Sequence, residues 1–347
     1  MILDNIIFEL QNRGGVTNVW QAIINSVIKD DDIEVEFIDN DLSRYPKQKI
    51  LSDIKLPLIL RRYLRVSKGK GNIFHSSYFR IHKRKDVKNI VTIHDFVYEK
   101  YDKGVSKWVH LKQKKFALKK ADAIICVSKN TEKDLLFYHP WIDRKKIHVI
   151  YNGYDKEVFF PIKNKKIKKE DYLLSVGGRN IHKNFLFTIE LMKKKEIVDY
   201  NVNLIIVGGG ELTSSEQYLI SSNNLSDKIE QLNNVTNEEL NLLYNNALAL
   251  VYPSFYEGFG IPPLEALAAG CPVICSKTSS IPEVVGNSGL FIDCNDPNSA
   301  IPHVKTLIEN KEEKDIIINK GLIQASKFSW KKTGEQTVEL YKELKNK

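Results

Sequence analysis

Four charged side chains in the second half of the chain have types and spacing that suit one ligand. Arg179 and Lys183 follow the apolar run 172–176 and the glycines Gly177 and Gly178, just before a helical pattern opens at Phe185. Two cations beside a helix N-terminus suit a diphosphate, because fixed N–H dipoles and mobile charges act together. The plain alternative is a pair of surface cations on a loop. A departing diphosphate needs its growing negative charge stabilised, and Arg179 with Lys183 could do this without a metal. Glu257 and Glu265 stand eight positions apart, one on a glycine-rich loop and one in the helix that the loop feeds. A carboxylate can hold two vicinal sugar hydroxyls with charge-assisted bonds. The rival reading is an acid/base pair for glycoside hydrolysis, which the neighbouring cations disfavour. Glu265 alone could also be a charge attracted to a helix N-terminus. His94, beside Asp95, ends the apolar run 89–93 and is a candidate for a polar role near a reacting centre. His75 is a weaker one, since a lone histidine is usually structural.

These residues need elements to place them. Apolar runs at 3–10, 33–38, 73–76, 89–93, 123–127 and 146–151 read as strands, with helical patterns between them, notably over 16–27 and 105–120. A helix is expected over 56–66, and another from Asn130, capped by Ser128 or Asn130. After a polar stretch, 154–171, the alternation restarts. Strands are expected at 172–176, 202–207, 229–232, 247–252 and 273–275, with an edge strand at 289–292. Helices are expected over 185–196, 216–222, 237–244, 297–309, 311–327 and 330–344. Pro262 and Pro263 open a short helix that Gly270 closes, and 279–283 reads as a turn. Such alternation implies α/β architecture with two Rossmann-like, doubly wound parallel sheets. The expected domains are 1–153 and 172–328, with 154–171 as linker and 329–347 as a terminal helix. In open parallel sheets, ligands bind where strands end at their carboxyl side.

The chain has 347 residues, enough for two domains, since single cores stop growing near ~250–300 residues. No apolar run reaches the ~18 residues that span a bilayer. The opening residues 1–5 lack the basic start and apolar stretch of a signal peptide. Cys126, Cys271, Cys275 and Cys294 lack zinc-like spacing and read as reduced thiols of a cytoplasmic protein. The net charge is +9. Cations cluster at 61–70, 80–85, 112–120 and 163–169, either as solvated surface or as contacts for anionic lipid. Nucleic acid is the less favoured partner, because no recognition motif is present and aromatics do not interleave the clusters. Glycine turns at Gly14-Gly15, Gly177-Gly178, Gly208–Gly210 and Gly258 with Gly260 match neither the dinucleotide fingerprint nor the P-loop.

Taken together, Gly14-Gly15, His94-Asp95, Val127-Ser128-Lys129, Asn152-Gly153, Val176-Gly-Gly-Arg179 with Lys183-Asn184, and Glu257 with Glu265 resemble the retaining glycosyltransferases of the GT-B fold (family 4, "glycosyl transferases group 1"). The likeness is to bacterial mannosyl- and glucosyltransferases of surface polysaccharides. The resemblance implies two domains facing a cleft, with the last helix crossing back to the first domain. It implies that Glu265 binds the nucleotide ribose and Glu257 the donor sugar, with Phe259, Gly260 and Ile261 beside sugar and phosphates. Gly178 and Gly258 would belong to the same donor site. Arg179 and Lys183 would hold the diphosphate, Gly14 and Gly15 would close on it, and His94 would lie by the anomeric centre. The spelling Gly208-Gly-Gly210-Glu211 departs from many relatives and leaves the base contacts open. The implied partners are a nucleotide diphosphate sugar, GDP-mannose being favoured, and a lipid-linked glycan of O-antigen or capsule synthesis at the inner face of the cytoplasmic membrane. No cofactor or metal is expected. The alternatives are a sugar-nucleotide epimerase and a non-catalytic sugar-nucleotide binder.

Overall fold

The computed structural model describes residues 1–11, 14–162 and 171–346. Asn12 and Arg13 of the first glycine turn, the lysine run 163–169 and much of the expected linker lie outside the described residues. The chain divides into two compact units, Met1–Gly153 with Ser329–Lys347, and Tyr154–Phe328.

In the first unit the strands are β1 (Ile2–Asp4), β2 (Glu36–Ile38), β3 (Lys49–Leu51), β4 (Ile73–Ser76), β5 (Lys88–Ile93), β6 (Ala123–Cys126) and β7 (Ile147–Val149). They form one sheet in the order β3-β2-β1-β4-β5-β6-β7, and every neighbouring pair is parallel. Parallel neighbours need crossover connections that cover both faces, so the strands are apolar on both sides. The helix Gly15–Ile28 buries Val19, Trp20, Ile23, Ile24 and Val27, a helical period. The last helix, Trp330–Asn346, packs on it and buries Val338, Tyr341 and Leu344 in the same core. The Tyr341 hydroxyl lies 2.6 Å from His75 Nδ1, and Thr92 Oγ1 lies 2.9 Å from Nε2. His75 is therefore a structural histidine. Its complete burial pushes its pKa down to about 3, so it packs as the neutral ring.

Several cations of the sequence clusters are internal. Arg80 is fully buried and binds Asp4 at 3.0 Å and Asp53 at 2.8 Å. Arg61 is buried beside Glu9 and Asp53. Lys114 is buried, with Glu99 at 2.8 Å. These positions correct the picture of continuous solvated basic faces. A buried cation needs a partner, and the fold supplies one.

The second unit holds β8 (Tyr172–Val176), β9 (Asn203–Val207), β10 (Ile229–Leu232), β11 (Ala249–Tyr252), β12 (Val273–Ser276) and β13 (Gly289–Ile292). Their order is β10-β9-β8-β11-β12-β13, again parallel throughout. As expected for 289–292, β13 is an edge strand. The order reverses between β8 and β11, where crossovers leave in opposite directions and open a crevice at the strands' carboxyl ends.

The departures from the sequence reading fall on short elements. The first strand is three residues long, and Ile7–Leu10 turns helical before Gly14. The helix expected over 56–66 is one turn, Leu58–Arg61. Residues 185–196 split into Phe185–Met192 and Lys195–Asp199. The turn at 279–283 is the start of a helix, Ile281–Val285, with proline in its first turn. Ser128 caps Lys129–Tyr138 by accepting the Thr131 N–H. The four cysteines are free thiols.

The return of the chain to the first unit depends on Gly153, where an added Cβ would lie 2.1 Å from the Ser329 carbonyl carbon. At Gly178 a Cβ would meet nothing closer than Asn180 at 3.9 Å. Gly153→Ala should therefore lower stability by about 1–3 kcal/mol, the usual cost of overpacking, while Gly178→Ala should leave the thermal midpoint nearly unchanged. Differential scanning calorimetry of the two variants checks this.

Candidate active site

The candidate residues of the second unit collect where β8 and β11 end, on either side of the order reversal. Val176 closes β8, and Gly177 turns the chain with a φ of +112°. A single 3-10 turn, Ile181–Lys183, follows, and Asn184 takes a left-handed φ of 55° to start Phe185–Met192. The Asn184 amide donates to the carbonyls of Pro253 at 3.2 Å and Cys294 at 2.7 Å. It thus ties together the loops that follow β8, β11 and β13. Phe255 N–H donates to the His182 carbonyl at 2.8 Å, a second tie between the first two loops.

This bracing brings Lys183 onto Glu257. The ammonium lies 2.7 and 2.8 Å from the two carboxylate oxygens and 3.3 Å from the Tyr252 hydroxyl. Glu257 is buried, whereas the Lys183 side chain keeps 24% of its exposure. A buried carboxylate without a cation would be costly, so Lys183 satisfies Glu257 in the resting site. The Glu257 loop is held from behind by hydroxyls after β12. Ser279 Oγ accepts the Glu257 N–H at 2.9 Å, and Ser280 Oγ donates to the carbonyls of Glu257 and Phe259 at 3.0 and 2.7 Å. Thr278 donates to the Ser254 carbonyl at 2.9 Å. Sequence reasoning missed these supports. The signal was the density of hydroxyls in Ser276-Lys-Thr-Ser-Ser280.

Arg179 does not join Lys183. Its Nε pairs with Glu216 at 2.9 Å, and its Nη atoms donate to the carbonyls of Gly208, Gly210 and Glu211 at 2.8, 3.0 and 2.6 Å. The guanidinium is a clamp on the turn after β9. All three glycines of that turn have positive φ, and a Cβ on Gly209 would lie 2.6 Å from Arg179 Nη1. A side chain there would displace the clamp.

Glu265 lies within Ile261–Ala268, beyond its first turn, so a helix-end charge does not account for it. Gly260 precedes that helix with φ +115°, and Phe259 packs edge-on against Phe328. Gly258 and Phe259 are buried, and Ile261 begins the helix. Pro262 and Pro263 lack N–H groups, which leaves the helix entry few unpaired donors. Glu265 is buried, with the Tyr244 hydroxyl 3.5 Å from its Oε2. Burial pushes its carboxyl up to about 8, with the Tyr244 bond opposing weakly.

In the first unit Gly14 and Gly15 open the helix Gly15–Ile28. His94 follows β5, and burial drives its pKa down to about 4, against the pull of Asp95. The segment is anchored by Lys114, which donates to the Asp95 carbonyl at 3.0 Å and pairs with Glu99. The Asp95 carboxylate accepts the Val97 N–H at 3.0 Å, starting the turn Val97–Lys100. Among the described residues no group of three or more His, Cys, Asp or Glu converges to hold a metal ion.

Comparison with known proteins places both units. Residues 157–324 match the family model "Glycosyl transferases group 1", and residues 28–158 match "Glycosyltransferase Family 4". A sucrose-phosphate synthase structure from Thermosynechococcus elongatus superposes with TM-score 0.77 at 18% identity, over 99% of this chain and 98% of that one. The fold is thus GT-B, and each unit carries a match to a glycosyltransferase family model. In sequence the chain resembles O-antigen mannosyltransferases. It is 36% identical over 221 residues to the O-antigen chain mannosyltransferase RfbU of Salmonella typhimurium, over 62% of this chain and 60% of that one. It is 45% identical over 116 residues to O-antigen chain mannosyltransferase B of Escherichia coli, over 33% of this chain and 30% of that one. The chain therefore spans less than two thirds of the length of either relative.

Two outcomes follow from this geometry. Arg179→Ala removes four donated hydrogen bonds and should cost about 2–4 kcal/mol. That loss should show in urea unfolding as well as in any loss of ligand binding. Glu265 keeps its proton in the folded state to about pH 8 but loses it near 4.5 when unfolded. The folded chain then holds the extra proton between those values, and stability falls as pH rises through the window. Glu265→Gln lacks this fall, so its advantage over wild type should grow from pH 5 to pH 8 by a few kcal/mol, on the order of the shift. Parallel melting-temperature curves for the two proteins would contradict it.

Proposed function

We propose that the chain transfers a hexose from a nucleotide diphosphate sugar to a lipid-linked glycan acceptor in surface-polysaccharide synthesis, with retention of configuration. GDP-mannose is the favoured donor. The observation that carries the reading is the Lys183–Glu257 pair at the carboxyl ends of β8 and β11, braced by Asn184 and the hydroxyls after β12. The resemblance to two O-antigen mannosyltransferases supports mannose as the sugar.

In this reading the pair is a stand-in for the ligand. A sugar's vicinal hydroxyls donate to Glu257, and the diphosphate takes the Lys183 ammonium, so each partner is exchanged for a charge-assisted bond of similar strength. Glu265 faces the ribose hydroxyls. The backbone around Gly178, Gly258, Phe259, Gly260 and Ile261 passes beside sugar and phosphates, and Arg179 holds the turn after β9 against them. In the first unit, Gly14 and Gly15 serve the diphosphate and His94 the reacting sugar. The acceptor hydroxyl oxygen bonds to the anomeric carbon on the face the diphosphate leaves. The anomeric C–O bond breaks with its electron pair going to the phosphate oxygen, and that oxygen takes the acceptor's proton. Lys183 stabilises the charge that develops there, an electrostatic task that needs no enzyme nucleophile.

A lipid-linked acceptor implies peripheral contact with an anionic membrane. The first unit exposes apolar and cationic side chains that support it. Ile59, Leu60, Val105 and Trp108 are 69%, 57%, 78% and 57% exposed. The Lys112 ammonium lies 3.5 Å above the Trp108 ring. Apolar anchors with long cationic side chains suit an interface carrying anionic headgroups. Among the described residues no helix is long and apolar enough to cross a membrane.

Lys183→Ala and Glu257→Ala should each lower transfer by at least ~100-fold, the scale of a lost transition-state contact, while far-UV circular dichroism stays native. Near-wild-type turnover in both would overturn the assignment. In a thermal-shift panel of UDP, GDP, dTDP and ADP, GDP should raise the melting temperature most, by linkage.

A further inference from the structure

Among the described residues, the non-glycine residues with a positive φ are Asn184, Asn201, Asn224, Asn234 and Ser279. Asparagine tolerates that region of backbone space better than most residues, because its short polar side chain bonds locally. Serine has no such preference. Asn201, Asn224 and Asn234 stand in exposed connections. Asn184 and Ser279 are half-buried, and the side chains of both act on one loop, 253–259. Asn184 donates to the Pro253 carbonyl at 3.2 Å, and Ser279 accepts the Glu257 N–H at 2.9 Å.

We infer that Ser279 is a positioning residue for Glu257: its strained turn holds the Glu257 N–H, and through it the carboxylate, in place for the donor sugar. The inference rests on the glycosyl-transfer reading and adds to it a residue that acts through another.

Three observations carry it. The first is the strain. Ser279 is the second residue of the turn Thr278–Ile281, which the Ile281 N–H closes by donating to the Thr278 carbonyl at 3.2 Å, and its φ is 49°. A positive φ at that place in a turn ordinarily belongs to glycine. A side chain persists there only where its surroundings over-determine it, and such residues gather at functional sites. The second is the work of the side chain. No other acceptor meets the Glu257 N–H among the described residues. Glycine at 279 would relieve the backbone and remove this bond together, so the hydroxyl is what the strained residue adds. The third is leverage. Thr278 fixes the same loop at the Ser254 carbonyl, and Ser280 fixes it at the carbonyls of Glu257 and Phe259. Ser279 alone of the three holds an N–H, and that nitrogen is bonded to the Cα that carries the carboxylate. The carboxylate lies 2.7 Å from the Lys183 ammonium and must exchange it for sugar hydroxyls. A misplacement of ~1 Å in such a contact costs about 100-fold in rate.

The test separates position from stability with three variants of the full chain. Ser279→Gly relieves the backbone and removes the hydroxyl. Its melting temperature should stay within about 2 °C of wild type, while kcat/KM for transfer should fall at least ~10-fold. Ser279→Ala keeps the strain and loses the hydroxyl, so both quantities should fall. Ser279→Thr keeps a hydroxyl and puts a β-branched residue at a positive φ, which that class resists. It should melt below the glycine variant and yet recover most of the transfer that glycine loses. Transfer is measured with UDP-glucose, GDP-mannose, dTDP-glucose and ADP-glucose as donors and a lipid extract of the source cells as acceptor. Hydrogen exchange at the Phe255 amide, which donates to the His182 carbonyl at 2.8 Å, reads the loop without substrate. It should quicken at least ~10-fold in the glycine and alanine variants and be restored in the threonine variant. Transfer that follows melting temperature across the three variants, with glycine the most active, would overturn the proposal. So would wild-type exchange at Phe255 in both the glycine and alanine variants. A wild-type protein that transfers from none of the four donors would overturn the glycosyl-transfer reading, and the exchange alone then decides whether Ser279 holds the Glu257 loop.

Discussion

The constraint behind this structure is the pairing of parallel strands. Every strand in both sheets lies parallel to its neighbours. Such a sheet is covered by helices on both faces, so its strands carry few polar side chains along their length. Polar groups are displaced to the strand ends. At the carboxyl ends the crossover loops diverge wherever the order reverses, between β1 and β4 in one unit and between β8 and β11 in the other. Asp4, Ser76 and Arg80 gather at the first reversal, and Lys183 and Glu257 at the second.

Those groups cannot stay unpaired in a half-buried crevice, and they satisfy one another. Lys183 neutralises Glu257, Arg179 is divided among three carbonyls and Glu216, and Glu265 holds its proton. The resting site is thus a closed set of polar bonds. A ligand that enters must return to each group a bond as good as the one it gives up, and this requirement is itself selective. In the proposed function, a hydroxyl-rich sugar on a diphosphate would offer donors to Glu257 and oxygens to Lys183 at once.

The same pairing governs the buried cations of the first unit. A net charge of +9 suggests basic surfaces, yet Arg61, Arg80 and Lys114 are consumed inside the first unit by Glu9, Asp4, Asp53 and Glu99. What remains outside, such as Lys112 over Trp108, is mixed with exposed apolar rings. Four carboxylates accompany those three cations, so the positive excess of the chain stays on the outside.

Sequence alone determined the architecture, because period, apolar runs and glycine or proline punctuation are local properties. The strands at 73–76, 172–176 and 229–232 and the helix Val105–Lys120 follow from them directly. It also marked Arg179, Lys183, Glu257 and Glu265, since their offsets from strand ends are fixed along the chain. Short elements under tertiary control were not legible. Ile7–Leu10 reads as strand by its residues but turns helical before Gly14, and Ile281–Val285 starts directly after Ser280, whose hydroxyl is spent on the Glu257 loop. Tertiary structure alone decided the partners. It parted Arg179 from Lys183, turned Lys114 inward, gave His75 to Tyr341 and stacked His110 on Tyr98. These are contacts between residues 12 to 266 positions apart, set by which loops the sheet order brings together, and no local pattern encodes them.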